Sequence, residues 1–163
     1  MEAGFFIGFH HVFLTIMKTI IFDLDGTLVR LAPTLACIAE KTQLAELRKE
    51  YNFALVTGSP RAELEDVLKT CELREFFDDG AIVTCEEVGS DKSSGVPFEK
   101  IRERITGACV MIGDSDSDEV GSGKTGIPFV KVGTMQTLDA QKLELVAAIQ
   151  EARNTLKIIS PQA

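Results

Sequence analysis

Five short runs of β-branched and other apolar residues alternate with longer segments of helical periodicity, and this alternation constrains the fold more than any other feature. The runs cover residues 18–22, 52–56, 81–85, 108–112 and 128–132. Each run is almost continuously apolar, as expected for strands that helices cover on both faces. Strands that alternate with helices form a parallel sheet with crossover connections. The sequence therefore predicts an α/β fold, a Rossmann-like three-layer sandwich around a five-stranded, mostly parallel sheet.

The segments between the runs predict five helices. The first is expected to begin at Pro33, because proline suits the first turn of a helix. The last is the longest and carries an apolar stripe along one side. The predicted helices cover residues 33–49, 59–71, 97–105, 117–123 and 138–156.

The length limits the domain organisation. A chain of 163 residues is long enough for one domain with a real core and too short for two ordinary domains. We expect a single domain over residues 17–163 and an apolar extension over residues 1–16, which contains four Phe and the pair His10-His11. The extension lacks the early positive charge of a secretory signal peptide. It is either a natural segment that packs on the domain or a partner, or the product of a misassigned upstream start, since Met17 precedes the first strand.

Charge and cysteine content exclude several classes of function. The chain has 17 basic and 25 acidic residues and a net charge of -8, so its field repels nucleic acid and anionic lipid. We therefore expect no nucleic-acid patch and no membrane association. The four cysteines show no C-x-x-C spacing and lie in or beside apolar runs. They are predicted to be reduced core thiols of a cytoplasmic protein, with a disulfide or a metal site as the alternative.

Acidic residues follow two of the predicted strands. Asp23 and Asp25 stand two residues apart where the first run ends, and Asp114, Asp116 and Asp118 alternate after the fourth run. Such groups can be polar strand ends or solvated loops. A calcium loop of the EF-hand type is excluded, because no Glu occupies its last position. Carboxylates this close together repel one another, and a divalent cation would relieve the repulsion.

Two further segments can bind phosphate. Thr57-Gly58 follows the second run just ahead of a helix, where a hydroxyl and backbone N–H groups can face an anion. Lys92 lies in a polar loop that leads into the helix after Pro97. Taken alone, Thr57 is better explained as a helix cap or turn residue and Lys92 as a solvated surface lysine. The Gly-Lys-Thr at residues 123–125 is not a P-loop, because the first glycine of that motif would have to stand at Asp118.

Together these segments resemble the four motifs of the haloacid dehalogenase superfamily. The motifs are Asp-Leu-Asp-Gly-Thr-Leu at 23–28, Thr-Gly-Ser at 57–59, a lysine ahead of Pro-Phe at 97–98, and Gly-Asp-Ser-x-x-Asp at 113–118. The residues of these motifs are similar to those of the phosphoglycolate-phosphatase branch. The resemblance implies that Asp23 is the nucleophile and Asp25 the general acid and base, and that Thr57, Gly58 and Lys92 hold the phosphoryl group. It also implies a Mg²⁺ site formed by Asp23, Asp114, the backbone carbonyl of Asp25 and, directly or through water, Asp118.

The function implied by the resemblance is a Mg²⁺-dependent phosphoric monoester hydrolase that forms a phosphoaspartyl intermediate on Asp23. Dehalogenase members lack the second aspartate, so Asp25 favours phosphatase or phosphomutase chemistry. One alternative is a catalytically silent regulatory protein with the same fold. The other is a receiver-like signalling domain. In a receiver the phosphorylated Asp follows the third strand and the Lys follows the fifth, which differs from the order found here.

Many members of this superfamily carry a large cap domain between the first two motifs or between the second and third. Here each gap has room for one helix and one strand, so we expect no large cap and an open site. The expected partner is a phosphorylated substrate, either a small-molecule phosphate ester or a phosphorylated macromolecule. A homo-oligomer, in which a neighbouring subunit acts as a lid, is a further expectation.

Overall fold

A five-stranded parallel sheet forms the centre of the protein in a computed structural model that describes residues 16–159. The strands of this sheet are β1 (Thr19–Phe22), β4 (Asn52–Thr57), β5 (Ile82–Thr84), β6 (Cys109–Gly113) and β7 (Phe129–Lys131). Their order is β5-β4-β1-β6-β7, and every pairing is parallel. The direction of winding reverses at β1, which has β4 on one side and β6 on the other. Ligands bind at such switch points in open α/β sheets.

Helices cover both faces of the sheet. They are α1 (Lys41–Arg48), α2 (Arg61–Thr70), α3 (Cys85–Val88), α4 (Val96–Arg104), α5 (Asp116–Lys124) and α6 (Leu138–Ile158). Successive residues of β1 alternate between two apolar clusters, with Phe22 in the cluster under α1, α2 and α6 and Ile21 in the cluster under α4. The Phe22 ring packs edge-on against Phe53 at 5.3 Å between centroids. The predicted three-layer α/β fold is thus confirmed.

The segment after β1 differs from the prediction. Residues 29–37 form an antiparallel hairpin of β2 (Val29–Arg30) and β3 (Ala36–Cys37), and the helix begins only at Lys41. The backbone N–H groups of Ile38 and Ala39 donate to the carbonyl of Leu28, both at 2.9 Å. These bonds hold the chain extended past Pro33, so the apolar spacing that predicted a helix from that residue was misleading. The helix starts instead at a capping box formed by Glu40 and Gln43.

Two cysteines also differ from the prediction. The sulfur atoms of Cys37 and Cys71 are bonded to each other, with the two Cα atoms 5.7 Å apart. This bond joins β3 to the end of α2, whereas all four cysteines were expected to be reduced. The cause is tertiary proximity between residues 34 positions apart, which spacing alone does not reveal. Cys85 and Cys109 are thiols. A cytoplasmic location stays a prediction. Cys37 and Cys71 no longer support it, because the argument from cysteine content required reduced thiols.

No large cap domain is inserted between the described motifs. Only the hairpin and α1 lie between β1 and β4, and α2 with two 3₁₀ turns lies between β4 and β5. The predicted open architecture is therefore confirmed over residues 16–159.

Some predictions fall beyond what the structure describes. Most of the extension over residues 1–16, including His10-His11, lies outside the described residues, so the division at residue 17 stays a prediction. None of the helices within residues 16–159 combines the length and the apolar character needed to span a bilayer. The outer side of α6 exposes Leu143 and Val146. A homo-oligomer stays a prediction.

Candidate active site

The predicted motifs meet at one cleft at the carboxyl ends of the central strands. Asp23 follows β1, Thr57 ends β4 and Asp114 follows β6, and these three strands are neighbours in the sheet. The cleft has a volume of about 500 Å³. Six residues predicted from the sequence line it, namely Asp23, Asp25, Thr57, Gly58, Lys92 and Asp114. The structure therefore brings together all seven predicted site residues, with Asp118 fully buried beneath the cleft rather than in its wall.

Lys92 forms a buried ion-pair triad with Asp23 and Asp118. Its Nζ atom donates hydrogen bonds to Oδ1 of Asp23 at 2.5 Å and to Oδ1 of Asp118 at 2.8 Å. Burial by itself lowers the pKa of Lys92, but the two carboxylates outweigh this effect and raise the pKa above its ordinary value. The ammonium therefore keeps its charge at the floor of the cleft.

The carboxyl of Asp23 is in an unfavourable place for a negative charge. Burial raises its pKa well above the ordinary value; Lys92 opposes this shift, whereas the charge of Asp118 and a hydrogen bond with Asp114 reinforce it. Carboxylate oxygens of Asp23, Asp114 and Asp118 lie within 4.8 Å of one another. Lys92 is bonded to two of these three carboxylates, so an excess of negative charge remains when all three are ionised. Hard divalent cations prefer this kind of oxygen donor set.

Two glycines allow the carboxylates to approach so closely. Gly26 has a φ of +83°, and a Cβ atom there would lie 2.0 Å from Oδ2 of Asp114. A Cβ atom at Gly113 would lie 2.5 Å from Oδ2 of Asp118. Any side chain at these positions would push a carboxylate out of the cluster, so both motif glycines are required by the site itself.

Asp25 lies at the mouth of the cleft and is exposed. Its Oδ1 atom accepts a hydrogen bond from the backbone N–H of Leu31 at 3.0 Å, and its backbone pairs with Val29. The hairpin that the sequence did not predict therefore holds this carboxylate in place. Because its side chain is reachable from solvent, Asp25 can exchange protons with a ligand or with water.

Thr57 and Gly58 line the cleft at the end of β4. The hydroxyl oxygen of Thr57 is buried and accepts a hydrogen bond from the backbone N–H of Ser59 at 3.0 Å. A hydroxyl that accepts one bond can still donate its proton to a ligand. A Cβ atom at Gly58 would meet no described atom within 4 Å, so the backbone there is open to the cleft.

Ser115 is a site residue that the motif analysis missed. It caps α5, accepting from the N–H of Asp118 at 3.2 Å and donating its hydroxyl to Oδ2 of Asp118 at 2.8 Å. With Lys92 on Oδ1, both oxygens of the Asp118 carboxylate are held by the protein. The signal was present in the sequence as a serine three residues ahead of an acidic residue at a helix start. Asp116, between them, is exposed and pairs with Lys131 at 3.1 Å.

Gly121 lies in the glycine-rich stretch over residues 121–125, which superficially resembles a P-loop. A Cβ atom at this position would lie 1.9 Å from the carbonyl oxygen of Lys92 and 2.6 Å from the ring of Phe98. The glycine therefore lets α5 pack directly on the 3₁₀ turn Lys92–Ser94 that carries the lysine. Its role is close packing and not phosphate binding.

Comparison with known proteins gives matches in sequence and in structure. Residues 39–124 match a family of hydrolases described as haloacid dehalogenase-like. The pyrophosphatase PpaX of Bacillus mycoides is 33% identical over 91 residues, which are 53% of this chain and 41% of that protein. The N-acylneuraminate-9-phosphatase of Rattus norvegicus is 26% identical over 126 residues, which are 68% of this chain and 50% of that protein. The chain thus spans half the length, or less, of these two relatives.

A solved structure agrees in fold. The crystal structure of a candidate beta-phosphoglucomutase from Thermotoga maritima superposes with a TM-score of 0.66 at 15% identity, covering 82% of this chain and 99% of that one. At this identity the likeness concerns the fold alone. The family match is the stronger finding, since it covers more than half of the chain and contains Thr57, Lys92, Asp114 and Asp118. The protein belongs to the haloacid dehalogenase-like hydrolases.

Proposed function

We propose that this protein is a phosphatase that hydrolyses phosphoric monoesters through a phosphoaspartyl intermediate on Asp23. The observation that carries the proposal is the Asp23 carboxylate at the floor of an open cleft, bonded to the ammonium of Lys92. A carboxylate that attacks a phosphate ester needs positive charge and hydrogen-bond donors around the transferred group. The name of the N-acylneuraminate-9-phosphatase supports the same reaction class, and the name of the pyrophosphatase supports hydrolytic transfer of a phosphoryl group more generally.

The reaction is proposed to run in two steps. In the first, an Asp23 oxygen attacks phosphorus, the bond to the ester oxygen breaks, and Asp25 donates a proton to the leaving alcohol. In the second, Asp25 takes a proton from water, whose oxygen attacks phosphorus and releases phosphate and Asp23. Lys92, Thr57 and the backbone N–H groups near Gly58 hold the equatorial phosphoryl oxygens in line for both displacements.

The acidic cluster fits a magnesium ion. Asp23 and Asp114, with the backbone carbonyl of Asp25, are proposed to hold it. Asp118, whose oxygens bond to Lys92 and Ser115, is proposed to fix the lysine. Bound Mg²⁺ would supply the positive charge that the three carboxylates lack and would neutralise charge on the phosphoryl oxygens.

Removal of divalent cations is the first test of the proposed function. Release of phosphate from p-nitrophenyl phosphate is expected to fall at least about 100-fold after treatment with EDTA and to return with added Mg²⁺, because Lys92 alone would otherwise have to offset the charges of the attacking carboxylate and the ester. Activity that is insensitive to the chelator would contradict the magnesium assignment. An absence of turnover on a broad panel of esters with Mg²⁺ present would instead support a silent regulatory protein.

Substitution of Asp25 by asparagine should separate the two steps. With p-nitrophenyl phosphate, whose leaving group needs little protonation, Asp25→Asn is expected to form phosphoenzyme but to hydrolyse it about 100-fold more slowly than the unaltered protein. Acid quenching followed by mass measurement should show one added phosphoryl group. With an alkyl phosphate, which needs the acid, the phosphoenzyme should accumulate far less. Equal accumulation with both esters would argue against Asp25 as the general acid.

A further inference from the structure

We propose that the disulfide between Cys37 and Cys71 is a redox switch that sets, through the hairpin, how well Asp25 serves the leaving group. The inference rests on the proposed phosphatase function and adds a control of the same site. The oxidised protein is expected to cleave esters of both good and poor leaving groups. The reduced protein is expected to keep its activity mainly toward esters with good leaving groups.

Cys37 lies one cross-strand pair away from the segment that holds Asp25. In the hairpin, Cys37 of β3 is the partner of Val29 in β2. Val29 in turn forms a bridge with Asp25, and its carbonyl accepts a hydrogen bond from the N–H of Gly26 at 2.7 Å. Two residues further along, Leu31 donates its N–H to Oδ1 of Asp25. A shift of β3 would therefore displace both backbone partners of Asp25.

The hairpin depends on support from outside itself. Each of its strands has two residues, the turn over residues 32–35 is exposed, and a two-stranded hairpin alone is marginally stable. Arg30 braces β2, because its Nε atom donates to Oε1 of the buried Gln141 in α6 at 2.7 Å. The disulfide ties β3 to Cys71 at the end of α2. The bonds to the carbonyl of Leu28 begin only after β3, so they fix the base of the hairpin and leave its strands to these two ties.

The disulfide can be opened by a dithiol. Cys37 is the more exposed of the two residues, since it is half-buried and Cys71 is buried. A thiolate of the dithiol attacks Sγ of Cys37, the bond between the two cysteines breaks, and Cys71 leaves and takes up a proton. The second thiol of the reductant then releases Cys37 as a thiol and closes a new disulfide within the reductant. Two electrons pass to the protein, and a disulfide oxidant reverses the exchange.

Reduction should impair proton donation more than the attack on phosphorus. Asp23 is held by the central sheet, and Lys92 by the 3₁₀ turn that packs on α5. Asp25 depends on the hairpin, and a displacement of about 1 Å can cost about 100-fold in rate. An ester with a good leaving group needs little protonation, whereas a poor leaving group needs the acid. The state of the disulfide should therefore separate esters by their leaving group.

Two aryl esters of similar size test the switch. p-Nitrophenyl phosphate has a good leaving group, and phenyl phosphate has a poorer one that depends more on the acid. Treatment of the unaltered protein with dithiothreitol should raise the titratable thiols of the denatured chain from two to four. It is expected to raise the ratio of kcat/KM for p-nitrophenyl phosphate to kcat/KM for phenyl phosphate at least about fivefold, and reoxidation should restore the ratio.

Three results with the unaltered protein would overturn the inference. The first is a ratio that does not change on reduction. The second is an equal fall with both esters, which is what a merely stabilising disulfide would give. The third is the presence of four thiols before reduction under oxidising conditions.

Variants separate the switch from the proposed function. Cys85→Ser/Cys109→Ala protein, in which the bonded pair alone can change state, should keep the redox response. Cys37→Ser should show the reduced ratio with or without dithiothreitol, and the oxidised ratio there would overturn the inference. Asp25→Asn should show a high ratio that reduction does not change, because the acid is absent. A full redox response in Asp25→Asn would show that the disulfide acts elsewhere and would overturn the inference alone. An ordinary ratio in oxidised Asp25→Asn would also overturn the general-acid role.

Discussion

Replacing Asp23 by asparagine is expected to lower kcat by about 10⁴-fold or more, which is the loss typical of removing a nucleophile. An amide oxygen is a poor nucleophile, and it cannot form the phosphoaspartyl bond. The side chain keeps its size, so Lys92 and Asp114 should stay in place. Phosphate release from p-nitrophenyl phosphate under saturating Mg²⁺ measures the effect.

Folding controls accompany this substitution. The pKa of Asp23 is higher in the folded protein than in the unfolded chain, so the folded state binds the proton more tightly. The stability contributed by this group therefore falls as pH rises from acid toward neutral. A neutral amide avoids that loss, and the Tm of Asp23→Asn at neutral pH should equal or exceed that of the unaltered protein.

Asp116→Asn is the activity control. Asp116 is an exposed acidic residue of the fourth motif, and its replacement should leave near-normal activity. Substantial turnover in a folded Asp23→Asn protein would reject the nucleophile assignment.

Gly121→Ala is expected to destabilise the protein by about 3 kcal/mol and to lower kcat/KM about 100-fold. The added methyl group would stand 1.9 Å from the carbonyl oxygen of Lys92, which is backbone and cannot rotate away. Either α5 or the turn must move, and a displacement near 1 Å would take the ammonium out of position between Asp23 and Asp118. Denaturant unfolding and steady-state kinetics report the two effects.

The same helix provides the matched control. A Cβ atom at Gly123 would meet no described atom within 4 Å, and the residue is exposed. Gly123→Ala should therefore leave activity unchanged and stabilise the helix by up to about 1 kcal/mol, because alanine has the higher helix propensity. Equal effects of the two alanines would show that helix propensity, and not contact with the lysine turn, governs this stretch.

The parts of the fold that were predictable are those set by local pattern. The apolar runs located all five strands of the central sheet to within one residue at each end, and parallel strands place the residues after them at one edge. The positions of Asp23, Thr57 and Asp114 follow from that rule alone. Lys92 is different, because it lies in a turn and nothing in its local sequence points toward the cleft. Its prediction depended on the order of motifs in a known family.

What could not be predicted depends on contacts between distant segments. The hairpin over residues 29–37 is stabilised by bonds to the carbonyl of Leu28, and these compete with a helical pattern that is locally reasonable. The Cys37 to Cys71 bond requires knowledge of where α2 ends relative to that hairpin. The hydrogen bond to Oδ1 of Asp118 likewise comes from Lys92, 26 positions away. Each of these features depends on which distant segments are adjacent in the folded chain, and a local sequence pattern does not contain that information.

The central place of β1 has a consequence for how such a protein can diversify. Asp23 leaves a strand that is bonded on both sides, and its own N–H donates to the carbonyl of Ile112 at 3.0 Å. The attacking group is thereby anchored in what should be the slowest-exchanging part of the backbone. The hairpin over residues 29–37, which borders the mouth of the cleft beside Asp25, is a separate two-stranded element outside this sheet. Insertions or substitutions in that hairpin can therefore change the entrance to the cleft without disturbing the strand that carries Asp23.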